Sequence, residues 1–287
     1  MNGPAVAVVR SNAFLGRATR SGALVIGLVL VAIVIAAALL APWIAPHDPN
    51  EQNIIDKLVS PNATYWLGTD GFGRDVFSRI LWGARISLLV GFLSTAIGIV
   101  IGVVIGVVAG YFGGVVDRWI SGANDVLMSF PQIIMGIILV AVLGPSLNNL
   151  VIAISITAIP AFVRVARGST LAMKERDFVD ACRALGYSHP RIMFAHILPN
   201  ILSALIVYAS FELARMVLLE ATLSFLGLGV QPPTPTWGGM INDGRQYIFQ
   251  SWGVSFFPGL AILLLILIFN MLGDDLRDAL DPRLANE

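Results

Sequence analysis

Charge is what this sequence has least of. Only 13% of its 287 residues are Asp, Glu, Lys or Arg, 18 basic against 18 acidic, and the net charge is zero. A soluble globular protein carries about 25% charged residues. Half that share, with 56% hydrophobic residues and a mean hydropathy of +0.81, describes a polytopic membrane protein. Zero net charge argues against nucleic acid as a partner. Cys182 is the one cysteine, so no intrachain disulfide can form and the fold cannot depend on oxidation. Zinc-type spacings, CxxC pairs and lipidation motifs are missing. His47, His189 and His196 lie far apart and assemble no catalytic or metal set, so solvent-facing or packing roles are expected. The one Gly-rich candidate for a phosphate loop, around Gly68, Gly71 and Gly73, lacks a following Lys-Ser or Lys-Thr.

What the chain does have is long apolar runs. Crossing about 30 Å of hydrocarbon takes roughly 20 helical residues. Six segments qualify, at about 22–42, 86–110, 124–143, 148–167, 200–226 and 254–273, so the expected fold is all-α with six transmembrane helices. The first follows Arg10, Arg17 and Arg20 and outlasts the ~7–15 residues of a cleavable signal core, which reads as a retained signal-anchor. The third and fourth, separated by Leu143-Gly144-Pro145-Ser146-Leu147-Asn148-Asn149, form an antiparallel hairpin. With both termini cytoplasmic, the inside collects 12 of the 18 basic residues (Arg10, Arg17, Arg20, Arg118, Arg164, Arg167, Lys174, Arg176, Arg183, Arg191, Arg277 and Arg283). The outside collects Lys57, Arg74, Arg79, Arg85 and Arg245, and Arg215 stays within a helix, which satisfies the positive-inside rule. The chain divides into a tail, anchor and first outer loop at 1–85, a five-helix core at 86–273 and a cytoplasmic tail at 274–287. Two outer loops, Trp43 to Gly83 and Gly227 to Trp252, are dense in Gly, Pro and Trp, which suits structured turns with Trp at headgroup level.

A polar island interrupts this pattern on the inside, at Asp180-Ala181-Cys182-Arg183-Ala184-Leu185-Gly186, closed by His196-Ile197-Leu198-Pro199. From Asp177 on, a helix gathers apolar Phe178, Ala181, Cys182 and Leu185 on one face, with Asp177, Asp180 and Arg183 on the other. Gly186 suits the residue that ends the helix. Ser188 and Pro190 suit the start of a second short helix. Small residues at Ala181, Cys182 and Ala184 let a partner backbone come close. A helix that merely lies on lipid favours Lys-rich flanks and bulky anchors, which this stretch lacks.

The island resembles the coupling loop of binding-protein-dependent ABC importer permeases, Glu-Ala-Ala, three residues, Gly, nine residues, Ile, one residue, Leu-Pro. It departs at Asp180, Cys182 and His196. Nearly the whole chain is similar to the dipeptide/oligopeptide permease subfamily, through Leu67-Gly68-Thr69-Asp70, Gly73-Arg74-Asp75, Gly83-Ala84-Arg85-Ile86-Ser87-Leu88 and Gly110-Tyr111-Phe112-Gly113-Gly114. Leu223-Ser224-Phe225-Leu226-Gly227-Leu228-Gly229, Gln231-Pro232-Pro233 and Leu276-Arg277-Asp278-Ala279-Leu280-Asp281-Pro282 extend the likeness. The resemblance implies a type I importer permease fold in a bacterial inner membrane and a non-catalytic subunit. It further implies a homologous second permease, two cytoplasmic ATPase subunits that hold ATP and Mg, and an extracellular or periplasmic binding protein. Peptides are the implied substrates, with glutathione, nickel chelates and opines served by similar machinery. An ion-coupled secondary transporter would show internal repeats and broken helices, and neither is visible.

Two features stay open at this level. Ser94, Gly98, Gly102, Gly106 and Gly110 make a four-residue ladder of small side chains, which fits either tight packing inside the bundle or a sliding gate or subunit surface. Glu212, Arg215 and Glu220 sit in an apolar run where each charge costs about 2.5–3.5 kcal/mol. They either line a wet path that contacts a peptide's ammonium and carboxylate, or form a structural ion pair with an interfacial Glu.

Overall fold

A computed structural model describes residues 22–280. Arg10, Arg17, Arg20 and Arg283, and with them most of the predicted tails, lie outside the described residues. Regular structure among the described residues is helical, with one isolated bridge between Thr69 and Asp75. The main helices are α1 (Gly22–Leu39), α2 (Val76–Phe112), α3 (Gly114–Met128), α4 (Gln132–Leu143) and α5 (Leu147–Lys174). They are followed by α6 (Asp177–Ala184), α7 (Leu198–Phe225), α8 (Trp237–Gly244) and α9 (Gly253–Leu280). Four spans meet the length and apolarity needed to cross a membrane: α2, α5, His189–Phe225 and α9. The apolar stretch Leu24–Leu39 of α1 falls short of that length.

The expected third span is a correction. It is two helices, α3 and α4, meeting at 87°; if that bent pair is one crossing, the number of long spans rises to five. The reason sits at the elbow. Pro131 lacks an N–H, and its ring drives Phe130 away from helical backbone, so the helix cannot run through Ser129-Phe130-Pro131. Helix α2 also begins earlier than expected, at Val76, because Asp75 caps it: its carboxylate accepts from the Ser78 backbone N–H at 2.9 Å and the Ser78 hydroxyl at 2.6 Å. The boundary drawn at residue 85 therefore falls inside a helix. Likewise α9 continues to Leu280, past the expected end at 273.

The separate second short helix at Ser188 is not found. Ser188 stands at a helix start without a side-chain cap bond, but that helix is continuous with α7 as His189–Phe225. A π turn at Ile192–Ile197 precedes Pro199. Proline removes one helical donor and crowds the carbonyl four residues back, and the wider turn just before it accommodates that ring.

Three apolar clusters stack along the bundle. One joins α1, α2, α7, α8 and α9 around Val217 and Leu265. A second joins α2, α4, α5 and α7 around Phe162 and Leu219. The third joins α2, α5, α6 and α7 around Val107 and Ile197. The small-residue ladder faces α5: a Cβ on Gly98 would lie 2.8 Å from the Ala158 Cβ, and one on Gly106 would lie 2.5 Å from the Val163 carbonyl oxygen. Ser94 donates to the Val151 carbonyl at 3.2 Å. Without side chains in the way the two backbones approach directly, the kind of contact that replaces hydrophobic drive between helices in lipid.

Candidate functional site

The connectivity gathers α6, the α2–α3 turn and the end of α9 at one end of the bundle. The long segments 40–75 and 226–252 lie at the other. Helix α6 is anchored by Val179 and Cys182, both buried in the third cluster. The expected apolar face is therefore turned. Phe178 and Cys182 pack inward, whereas Ala181, Ala184 and Leu185 are exposed, Leu185 to 71%. The signal that was missed is the Val179–Cys182 pair, three apart on one face. Asp177, Asp180 and Arg183 are exposed as expected, and Asp180 pairs with Arg183 at 2.8 Å.

Gly186 ends the helix at φ +74°. The Gly186 N–H donates to the Arg183 carbonyl and the Tyr187 N–H to the Cys182 carbonyl, the two bonds of a Schellman stop. Behind it, the Tyr111 hydroxyl lies 2.8 Å from His189 Nδ1, and Tyr187 stacks on His196 at 5.4 Å. These contacts fix the turn after α6, and Val179 and Cys182 hold α6 itself against Tyr111 of α2 and the Ile192–Ile197 turn that leads into α7. His196 and Leu198 are half-buried, and Pro199 is exposed.

A second site lies deeper. A cavity of about 440 Å³ opens at the α3–α4 elbow, between α5 and α7. Glu212, with a side chain 1% exposed, accepts from the Tyr208 hydroxyl at 3.0 Å and from Arg215 Nη1 at 3.2 Å through the same oxygen, Oε2. Its other oxygen, Oε1, is buried without a hydrogen-bond partner. Arg215 Nη2 crosses to Gln132 Oε1 at 3.1 Å, so this cluster ties α7 to the first turn of α4. Tyr208 and Gln132 were not singled out in the sequence, although Tyr208 stands one helical turn before Glu212 on the same face.

Glu220 belongs to neither of the roles expected for it. It is fully buried, does not line the cavity, and is satisfied by the Ser87 hydroxyl at 2.8 Å and the Ser224 hydroxyl at 2.7 Å. It fastens α7 to α2.

The opposite end holds a polar network that composition alone did not reveal. Asp70 pairs with Arg74 at 2.6 Å and with Arg79 at 3.5 Å, Arg74 reaches Asp243 of α8 at 3.4 Å, and Arg79 donates to the Pro49 carbonyl at 2.9 Å. Trp237 is likewise a correction. It is 2% exposed, donates to the Ile80 carbonyl at 3.0 Å and rests over Gly83, a core residue rather than a headgroup anchor. Trp43, Trp66 and Trp252 are exposed.

This helical bundle, with a short helix seated across one end, has a fold shared with the membrane chain of an ABC transporter. Residues 102–286 match the family of binding-protein-dependent transport system inner membrane components, and 15–61 match the N-terminal transmembrane domain of oligopeptide transport permease C. The chain belongs to the binding-protein-dependent transport permease family, as a non-catalytic, multi-pass inner-membrane component. It is 44% identical over 262 residues to the dipeptide transport system permease protein DppC of Alkalihalophilus pseudofirmus, covering 91% of this chain and 86% of that one. It is 46% identical over 255 residues to the glutathione transport system permease protein GsiD of Escherichia coli, covering 88% and 84%. The fold matches an inward-facing MetNI methionine ABC transporter at a TM-score of 0.59 and 21% identity, over 71% of this chain and 98% of that one.

Proposed function

We propose that this permease imports di- and oligopeptides as half of a translocation path, coupled to ATPase subunits through the outer surface of α6. The carrying observation is the division of α6 into two faces. Val179 and Cys182 fix it into the α2–α5–α7 core, while Ala181, Ala184 and Leu185 leave a small apolar surface bare beside Asp177 and Asp180. A push on that surface is passed as rigid-body motion to the helices it is packed against. The completed assembly comprises a homologous second permease, two ATPase subunits that hold ATP and Mg, and a binding protein at the opposite end. In this reading the α6 end and both termini face the cytoplasm. Peptide as substrate is supported by the dipeptide permease relative, and a glutathione permease relative at similar identity favours glutathione as the second reading.

Co-purification of the intact chain against Asp180→Arg and Leu185→Asp tests the coupling surface. Both positions are exposed, and the Asp180–Arg183 pair is worth no more than about 1 kcal/mol at the surface, so the bundle should survive both changes. The intact chain should retain ATPase subunits and the variants lose them. An intact chain that retains no ATPase would sink the importer reading and return the secondary transporter to consideration. A reporter fused after Glu287 should be active only in its cytoplasmic form.

A further inference from the structure

The elbow cavity contains a buried carboxylate that the fold leaves half used. Glu212 Oε1 has no hydrogen-bond partner, and desolvating such an oxygen without a partner is costly. Its neighbour Arg215 is held loosely. The two share one contact of 3.2 Å where a two-pronged pair would make two at about 2.7–2.9 Å. The Arg215 side chain is 57% exposed and spends two of its five N–H donors, on Glu212 and Gln132. Arg164, also on the cavity wall, is 60% exposed and has a single 3.4 Å contact to Asp125. So the cavity wall sets a buried, half-satisfied carboxylate beside two guanidinium groups that have donors to spare. Its volume, about 440 Å³, lies within the ordinary range for small-ligand sites, roughly 300–1,000 Å³.

Resting on the import reading above, we propose that this cavity is a transport subsite for zwitterionic peptides, in which Arg215 stands in for the substrate's ammonium. An arriving ammonium takes over Glu212, and the displaced guanidinium takes the peptide carboxylate, with Arg164 beside it. Because Arg215 also bridges to Gln132 at the start of α4, occupancy of the subsite releases the tie between α7 and the elbow. Glu220, fully satisfied by two serines, takes no part.

The test is equilibrium dialysis of the assembled complex in nanodiscs, without binding protein, against radiolabelled dialanine, N-acetyl-dialanine and dialanine amide. The wild type should favour dialanine over either blocked form by at least about tenfold, the worth of one charge-assisted contact. E212Q should erase the preference over the acetylated form, and R215Q the preference over the amide. Equal binding of all three by the wild type overturns the proposal, as does a uniform loss across all three in both variants. Loss of a partner subunit from both variants overturns it too, because the pair is then an assembly contact. If only E212Q loses a subunit, the amide arm with R215Q decides. ATP-driven uptake of dialanine by wild-type proteoliposomes with binding protein is measured separately. Absence of uptake there counts against the import reading and leaves the dialysis result standing.

Discussion

Gly106→Ala adds one methyl at the tightest point of the α2–α5 contact. Its Cβ would stand 2.5 Å from the Val163 carbonyl oxygen, 2.8 Å from the Ala166 Cβ and 3.0 Å from the Arg167 nitrogen. Two of those three atoms are backbone, so no rotamer change can relieve them. The helices must instead separate until these distances approach 3.4 Å, where ordinary van der Waals contact begins. Overpacking of this kind costs about 1–3 kcal/mol, set against a gain of about 0.5–1 kcal/mol from replacing helical Gly with Ala. Gly122→Ala in α3 is the control, because nothing lies within 4 Å of its Cβ position; there the helix-propensity gain acts alone. Thermal melts of the purified chain should place Gly106→Ala below wild type and Gly122→Ala at or above it. Gly102→Ala, which meets Phe162 Cβ at 2.6 Å, should be less than additive with Gly106→Ala, since one separation of α2 from α5 relieves both. A Gly106→Ala protein that melts with or above Gly122→Ala would refute the claim that backbone contact through the ladder holds these helices together.

Three further outcomes follow from the buried polar groups and from α6. Asp70→Asn leaves Arg74 and Arg79, each 4% exposed, without their shared counterion and should cost about 3–5 kcal/mol in thermal unfolding. The rim partner Asp243, 36% exposed, should cost at most about 1 kcal/mol on change to Asn, and equal losses would contradict the network geometry. Glu220→Leu strands the Ser87 and Ser224 hydroxyls at about 1–3 kcal/mol each. Adding Ser87→Ala and Ser224→Ala should recover much of the loss, and a triple variant no more stable than Glu220→Leu argues against the hydrogen-bonded carboxyl. Maleimide should label native Cys182 slowly, because it is buried. Leu185→Cys in a Cys182→Ala chain should label fast and be shielded by bound ATPase, and fast labelling at both positions would reject the two-faced α6.

What the sequence revealed were features carried by neighbouring residues. An apolar run at 200–226 became α7 at Leu198–Phe225, and the one at 148–167 lies within α5. The Gly186 stop needed only a residue tolerant of positive φ, and the Glu212–Arg215 pair needed only spacing on one helix. What stayed hidden depends on contacts between distant segments. Arg79 read as an outer-loop charge because its burial requires Asp70 and Pro49. Gln132 had no visible purpose until the elbow brought it to Arg215, 83 residues away. The elbow itself was announced by Pro131, but an apolar run on each side masked the break. The turned face of α6 shows the same limit: a mixed stretch of eight residues supports more than one apolar stripe, and the cluster that Val179 enters is built from α2, α5 and α7.

The bundle is not held uniformly, and the difference bears on how it moves. Helices α2 and α5 meet backbone to backbone along the ladder, and Glu220 fastens α7 to α2 with both of its oxygens satisfied. Helix α3 is anchored otherwise. Asn124 is its one buried residue, and it donates to the Pro160 carbonyl at 3.2 Å. Arg167 Nη2 holds Asp117 at 2.6 Å, and Arg164 meets Asp125 at 3.4 Å. Its outer face carries exposed Val115, Trp119 and Val126. Packed cores shift between discrete arrangements rather than deforming continuously, so the packing of α2, α5 and α7, with α6 seated on them, favours their moving as one body. Helix α4 packs into the second apolar cluster, whereas α3 is tied to that body largely by polar bonds, and polar bonds can be exchanged for others of equal strength. A substrate that offers an ammonium and a carboxylate supplies such an exchange at Arg215, the group that joins the body to the elbow. On the import reading and the subsite proposed above, motion imposed at α6 and substrate bound at the cavity would act on opposite sides of the same joint.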